Sequence, residues 1–497
     1  MAKVTLPYEL WLYIAWFLPL ETLFQICDLH PAFYEVSVRP YQGRLELTKR
    51  DKWTKKLMKC LNIFSGFNHC FKSVAIQPWL IEAQLKPAQR RRDKLRTTVC
   101  RLVNHEYLIK KAQLRLQKRI RKDISRLTNA FKNMPNVEEY EICWDGSPKY
   151  HLEFYKAFSF PILKTWAARL TRLSLTLPPQ FLKDLPRLRL PRLIALAYYF
   201  PTDSRPWREI SYDHEGFMVF VHNLQDSLQN LTLVSTCNSG NLELDKFLDE
   251  LGYFPKLRSI TFSIPRDGSH LPDTTSLCRF LQRHSATLTN VTLAASPSLT
   301  NLSPDAGSPE WISSVLGAHV RLPHLQSLKM TLTPLDNPPL SQIARVLQMQ
   351  AENLVTLGLD EHPISLSEFD IIFRPSSFGN IVFPKLGHLI LYLHSFTPEL
   401  FCAIVEQMPA LKRLDIICSD SSLGSADVWA DRISNSIQHS HLTLRDLETW
   451  SRGTKMSVTP AHYGLGQVLD SAFHALGLDI PLIAYKDWPA VQRLLSQ

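Results

Sequence analysis

The feature that most constrains this chain is a six-residue motif, Leu-x-x-Leu-x-Leu, which recurs throughout its second part. Clear copies begin at Leu170, Leu228, Leu257, Leu288, Leu325, Leu354, Leu386 and Leu411, with weaker copies at Val137, Leu193 and Leu444. Alternate apolar positions have the period of two that is typical of a β-strand with one buried face. The motif therefore predicts a long series of short strands.

Helical stretches alternate with these strands. They include Leu244 to Phe254, Leu277 to His284, Trp311 to Val320, Leu340 to Met349 and Leu400 to Met408. This alternation predicts an α/β fold in which right-handed crossovers join parallel strands. It resembles the leucine-rich repeats, and that resemblance implies a solenoid of stacked strand–helix units. The alternative is a single α/β domain whose strands are merely rich in leucine.

The motif also predicts a surface. Residues on either side of the middle leucine face away from the core, so they form the exposed face of the sheet. Because solenoids recognise partners through such extended faces, we expect this one to bind a target protein. The candidate residues are Arg172, Asn230, Thr232, Ser259, Asn290, Thr292, Lys329, His388 and Arg413.

The N-terminus carries a second, shorter pattern. Pro7 suits the first turn of a helix, where its missing N–H costs nothing, and Glu9 complements the positive end of the helix dipole. We expect that helix to begin near residue 7 and to stop at Pro19, and a second helix to run from Glu21 to Leu29 until Pro31 interrupts it. Such short helices carry more apolar surface than they can bury, which is typical of a partner-binding face.

Residues 5–48 resemble an F-box. The matching positions are Leu6, Pro7, Glu9, Leu10, Ile14, Leu18, Leu23, Ile26, Leu29 and Phe33, and the run through Arg39, Pro40 and Tyr41 to Leu45 and Leu47 resembles the end of fungal F-boxes. The resemblance implies that seven of them bind the adaptor of an SCF cullin-RING ubiquitin ligase, and through it a cullin: Leu6, Pro7, Leu10, Ile14, Leu18, Leu23 and Phe33. The alternative is an ordinary helical hairpin that packs against its own domain.

The apolar run from Leu10 to Leu20 has the length of a signal peptide. However, Glu9 lies at its start, no small-residue cleavage pattern follows, and about 20 residues are needed to cross a bilayer. We therefore expect no membrane association. The nine cysteines form no C-x-x-C pair, which indicates reduced thiols and a cytoplasmic or nuclear location.

The positive charge of the chain is concentrated in one segment. The formal net charge is +10, yet residues 86–126 alone contain fifteen Lys or Arg against three Asp or Glu. A helical apolar stripe runs through this segment, so we interpret it as a helical connector with a solvated basic face. A nuclear localisation signal, or contact with nucleic acid or an acidic partner, is the alternative, and we regard nucleic acid as the less favoured partner.

No catalytic or cofactor-binding motif occurs in the sequence. There is no phosphate loop, dinucleotide fingerprint or G-x-S-x-G elbow. His439 and His441 form the single close histidine pair near acidic residues, and a two-residue spacing without further ligands is a poor metal site. We therefore expect a protein that is not an enzyme and uses neither cofactor nor metal.

Together these patterns predict four regions. They are an F-box-like helical domain over residues 1–50, a basic helical connector over 51–133, a leucine-rich-repeat-like solenoid over 134–464 and a cap over 465–497. Within the solenoid we expect loops over Ser419 to Ser425 and Trp450 to Pro460. We interpret the protein as a substrate-recognition subunit of an SCF-type ligase. The alternatives are a non-catalytic repeat scaffold, or a nucleic-acid-associated protein that uses the basic helix. The target protein is not encoded in any motif.

Overall fold

The structure is a computed structural model, and its described residues fall into two compact units. One comprises Met1–Leu228 with Asn238–Gly240, and the other Gln229–Cys237 with Asn241–Gln497. The described residues are 6–18, 22–23, 26, 29–38, 43–47, 61, 71–77, 125, 128–143, 160–177, 179–200, 207–236, 239, 242–265, 268–296, 311–317, 320–331, 340–375, 381–418, 426–438, 454–460, 464–476, 478 and 482–484.

The described part of the first unit contains five parallel strands. They are β1 (Gly43–Leu47), β2 (Phe71–Ile76), β3 (Glu139–Cys143), β4 (Arg172–Thr176) and β5 (Ala195–Tyr199). Each strand pairs with the next one along the chain. The helices are α1 (Tyr8–Phe17), α2 (Pro31–Val38), α3 (Phe160–Trp166), a 3₁₀ helix (Pro179–Arg187) and α4 (Trp207–His222).

The second unit continues the same alternation with nine described strands. They are β6 (Asn230–Val234), β7 (Ser259–Pro265), β8 (Asn290–Ser296), β9 (Ser327–Thr331), β10 (Thr356–Ile364), β11 (His388–Leu393), β12 (Arg413–Cys418), β13 (Lys455–Pro460) and β14 (Leu482–Ala484). The helices are α5 (Leu244–Glu250), α6 (Thr274–Arg283), α7 (Trp311–Gly317), α8 (Leu340–Gln350), α9 (Leu366–Phe373), α10 (Pro398–Gln407), α11 (Ala426–Gln438) and α12 (Gly464–Ala475). The predicted α/β repeat fold with parallel strands is confirmed.

The leucines of the motif form the core in both units. In β4, for example, Leu173 and Leu175 are buried while the residues between them reach solvent, and the first leucine of that copy, Leu170, is fully buried. Burial alternates in the same way along β6 and along most of β7 and β8. The period of two therefore identified the buried face of these strands.

One backbone arrangement recurs where the strands begin. The carbonyl of Gln229 accepts hydrogen bonds from the N–H groups of both Arg258 and Ser259, at 2.8 and 2.9 Å. The carbonyl of Arg258 does the same for Thr289 and Asn290, again at 2.8 and 2.9 Å. The repetition aligns successive strand starts along one edge of the sheet, and we call this the strand-start edge.

The strand series starts earlier than the sequence analysis predicted. Strands β1 and β2 lie within ranges that were predicted to be helical, and each has a buried apolar face. Strand β13 lies in Trp450 to Pro460, which was predicted to be a loop, and that prediction was wrong because β13 pairs with β12 over six residues.

The N-terminal helices agree with the prediction at Pro7 and differ from it at Pro31. Helix α1 begins directly after Pro7 and ends at Phe17, as expected. Pro31, expected to interrupt a helix, instead opens α2, because a proline is accepted in the first turn of a helix. The weak motif copy at Leu444, the loop 419–425, the histidine pair at 439 and 441, and the segment 86–124 lie outside the described residues.

Candidate partner-binding surfaces

Helix α1 presents an unusual apolar face to solvent. Only Ala15 of its ten residues is buried. Five exposed apolar residues at helical spacing form what we call the α1 surface: Leu6, Leu10, Tyr13, Ile14 and Phe17. Phe17 is 71% exposed and Tyr13 is 62% exposed, and their rings pack edge to face at 4.9 Å. Large exposed apolar side chains gathered on one face are typical of a surface that another protein covers.

A small separate core lies behind the α1 surface. Its buried members are Ala15, Leu23, Phe33 and Val36, against which Trp11, Leu12, Leu18 and Ile26 pack. Trp11 lies edge to face with Phe33 at 5.3 Å and stacks on the His30 ring at 5.0 Å. The Tyr8 hydroxyl donates to the Glu35 carboxylate, and this hydrogen bond raises the pKa of Tyr8. These contacts hold α1 in place without using its exposed face.

The structure divides the seven predicted adaptor-binding residues by exposure. Those open to solvent are Leu6, Pro7, Leu10 and Ile14. Leu18 is half-buried, and Leu23 and Phe33 are buried in the small core, where they join the helices. Tyr13 and Phe17 were not among the predicted residues. The sequence could have indicated them, because α1 has apolar residues on every face and cannot bury them all.

The predicted target-binding residues of the second unit fall into two aligned rows. The first outward row is Asn230, Ser259, Asn290, Ser327, Thr356, His388, Arg413 and Lys455. The second outward row is Thr232, Thr261, Thr292, Lys329, Gly358, Ile390 and Asp415. Strand register brings eight of the nine candidates together here. The ninth, Arg172, occupies the corresponding row of the first unit and pairs with Glu139 at 3.3 Å.

The two rows change character along the sheet. From β6 to β8 they contain small uncharged polar side chains, whereas charged groups accumulate from β9 onward. Gly358 has a role at this transition, since a Cβ there would lie 3.2 Å from Cγ of Lys329. The glycine leaves room for the lysine stem to lie across the sheet.

The side chains of His388, Arg413 and Asp415 form a network at the far end of the rows. The Asp415 carboxylate lies 2.8 Å from Nε2 of His388 and accepts from Nε of Arg413 at 2.9 Å. Burial alone would raise the pKa of Asp415, but the hydrogen bonds from His388 and Arg413 outweigh it and lower that pKa. The lowered pKa favours the ionised carboxylate of Asp415, which holds the network together on the outward face.

The described residues hold few groups suited to chemistry. No cluster of three or more His, Cys, Asp or Glu among them has the geometry to hold a metal ion. The described cysteines are free, and burial raises the pKa of the Cys402 thiol to about 11. No helix within the described ranges is both long enough and apolar enough to cross a membrane.

Comparisons with known proteins give little further information. No family model and no curated protein matches the sequence of this chain. Among solved structures, the crystal structure of the Rad7 and Elc1 complex in yeast is similar over 60% of this chain and 69% of that one, with 12% sequence identity and a TM-score of 0.30.

Proposed function

We propose that this chain is the substrate-recognition subunit of an SCF-type cullin-RING ubiquitin ligase. In this proposal the α1 surface binds the ligase adaptor, and the two outward rows bind a target protein. The chain itself acts without catalysis, cofactor or metal, and works in the cytoplasm or nucleus. The observation that carries the proposal is the α1 surface, in which five exposed apolar side chains lie on, or directly before, a helix that is anchored by its own core.

The geometry of α1 favours a protein partner over a merely capping helix. A helix that caps a repeat stack turns its apolar face inward and leaves its polar face in water. Helix α1 is apolar on both faces, since Trp11, Leu12 and Ala15 face the small core while Leu10 and Phe17 face solvent. An apolar face of this kind gains free energy when a groove on another protein covers it.

The outward rows support the second half of the proposal. They are extended, solvent-accessible and formed by side chains that do not contribute to the leucine core. Residues such as Asn230 and Thr292 can therefore vary without disturbing the fold, which is the property that a target-binding surface needs. Neutral hydrogen-bonding groups at one end and the His388–Asp415–Arg413 network at the other would recognise a target that is polar along its length.

A binding measurement with the purified SCF adaptor tests the proposal. We expect the full chain to bind and the double variant Leu10→Ala, Ile14→Ala to bind tens to hundreds of times more weakly, at ~25 cal/mol per Å² of apolar surface that is no longer buried. The matched control is Ile371→Ala, Val382→Ala, which removes two aliphatic side chains that are 46% and 50% exposed in the second unit.

The outcomes separate the competing functions. Binding that only the α1 variant weakens would support the ligase function. A folded chain with no affinity for the adaptor would refute it and favour a repeat scaffold. If the chain instead binds nucleic acid with an affinity that falls steeply with salt, the basic segment 86–126 becomes the functional region.

A further inference from the structure

The turns that lead into alternate strands of the second unit share a proline followed by a basic residue. These bases are Lys256 before β7, His324 before β9 and Lys385 before β11, and all three side chains are exposed. Each lies on the strand-start edge, three residues before the first outward row, and none belongs to the α1 surface or to either outward row. The pattern adds a surface that neither half of the proposed function uses.

The neighbouring positions on this edge strengthen its positive character. The residues directly before β6 to β12 are Gln229, Arg258, Thr289, Gln326, Val355, Gly387 and Lys412, and none of them is acidic. Arg321 adds another exposed base, and the described turns before β6 to β12 contain two acidic side chains, Asp226 before β6 and Glu352 before β10.

A cavity lies where the bases are densest. It is an open space of about 440 Å³ lined by Lys256, Arg258 and His324, together with Gln229, Thr287 and Gln326. No carboxylate lines it. The corresponding edge of the first unit has a cavity of about 640 Å³ that includes Arg169 and Arg192, but Glu138 lines that one as well. The second-unit cavity thus combines convergent bases with neutral hydrogen-bond donors.

These basic side chains form no ion pairs with the described carboxylates. Among the described residues, no carboxylate lies within ion-pair distance of Lys256, Arg258 or Lys412, and the Lys385 ammonium donates only to the neutral Asn353 amide, at 3.4 Å. Other cations of the unit are paired, such as Arg279 with Asp249 at 3.0 Å. Cations are also favoured near helix C-termini. Arg283 serves that purpose by donating to the Leu251 carbonyl, whereas the edge bases contact no such carbonyl within the described part.

The spacing of the bases identifies the partner. Neighbouring strands lie about 4.8 Å apart, so bases on alternate strands recur about every 9.6 Å. A polyproline II helix has three residues per turn and rises ~3.1 Å per residue, so every third side chain recurs about every 9.3 Å on one face. We propose that the strand-start edge of the second unit binds an acidic protein segment in polyproline II conformation, with a carboxylate at every third residue.

Nucleic acid fits this edge less well. A single strand carries a phosphate at every nucleotide, and proteins that bind it without sequence preference add aromatic rings on which the bases stack. No Phe, Tyr or Trp lines the cavity. The side chains there are suited to separate, spaced anions rather than to a continuous charged strand.

The test uses the full chain and a fluorescent peptide of about five Glu-Pro-Pro repeats, which adopts polyproline II structure. Fluorescence anisotropy should show binding that weakens with salt. A peptide of the same composition with all glutamates adjacent should bind several-fold more weakly. The double variant Lys256→Glu, Lys385→Glu should weaken binding of the spaced peptide at least about tenfold through charge repulsion.

The matched control is Lys132→Glu, Lys164→Glu, which makes the same change in net charge at two exposed lysines of the first unit. It should leave binding within about twofold. His324→Ala, a milder change in the cavity, guards against misfolding of the double variant and should weaken binding as well. The inference is overturned if the clustered peptide binds equally, if a single-stranded oligonucleotide binds more tightly, if neither edge variant has an effect, or if the peptide does not bind. None of these measurements needs the adaptor.

Discussion

Helices α1 and α10 resemble each other in length and sequence but differ in how much of each is buried. Both are ten residues long, have a proline at their start and carry a glutamate in the first turn. Helix α1 is the more apolar of the two, yet it buries one residue, whereas α10 buries eight. The apolar content of a helix therefore does not determine its burial. A helix is buried when other elements of the chain pack against it. For the α1 surface we propose that a second protein does so instead.

The largest expected effect comes from making the same Phe→Ala substitution in each helix and comparing the loss of stability. Phe401 of α10 is fully buried, and its ring lies 5.2 Å from that of Phe473. Phe401→Ala should lower the free energy of unfolding by about 3–5 kcal/mol, because it leaves a cavity in the core. Phe17→Ala on α1 should change it by no more than about 0.5 kcal/mol. Urea titrations followed by circular dichroism measure both, and equal losses would remove the distinction between the helices.

A smaller effect is expected inside α1 itself. Ala15 is completely buried although its neighbours on both sides are exposed. Ala15→Leu should destabilise the helical cluster by about 1–3 kcal/mol, because the small core has no room for a larger side chain. Hydrogen exchange of the α1 amides reports this locally. Ile14→Leu is the control, since it keeps the volume of an exposed side chain, and faster exchange in that variant would contradict the assigned faces.

The smallest effect concerns how the two helices begin. The Thr397 hydroxyl accepts a hydrogen bond from the Leu400 N–H of α10 at 3.3 Å, whereas Pro7, which precedes α1, provides no side-chain cap. Thr397→Ala should cost about 1 kcal/mol of stability, and Thr397→Ser should retain most of it because the oxygen remains. Thermal unfolding of the three proteins measures the difference. An unchanged midpoint in the alanine variant would mean that packing alone fixes the start of α10.

The sequence predicted the repeat because leucine periodicity and strand burial have the same physical cause. The prediction of individual strands failed where other residues take the place of leucine. In β2 the motif is present as Phe71-x-x-Val74-x-Ile76, with all three residues buried. Before β13 a glycine, Gly453, stands where the first leucine is expected. A search that allowed any large apolar residue would have found β2 and would still have missed β13.

The candidate surfaces were less predictable than the fold. The alternation in the motif was enough to place Asn230 and Thr292 on the outward face. It could not separate Leu10 from Leu23, because both are apolar residues in helical segments and only the three-dimensional cluster buries Leu23. The strand-start edge was missed for a similar reason. Its bases are about 60 residues apart along the chain, and strand pairing brings them into one line.

The order of the strands has a consequence for how the second unit loses its structure. From β6 to β14, each described strand pairs with the next one along the chain, so cooperativity passes from repeat to repeat as in a one-dimensional lattice. The pairing of β13 with β14 covers three residues, against seven for β7 with β8. Unfolding should then advance inward from β14 as a moving boundary, and a defect at β8 would divide the unit into two independently melting segments.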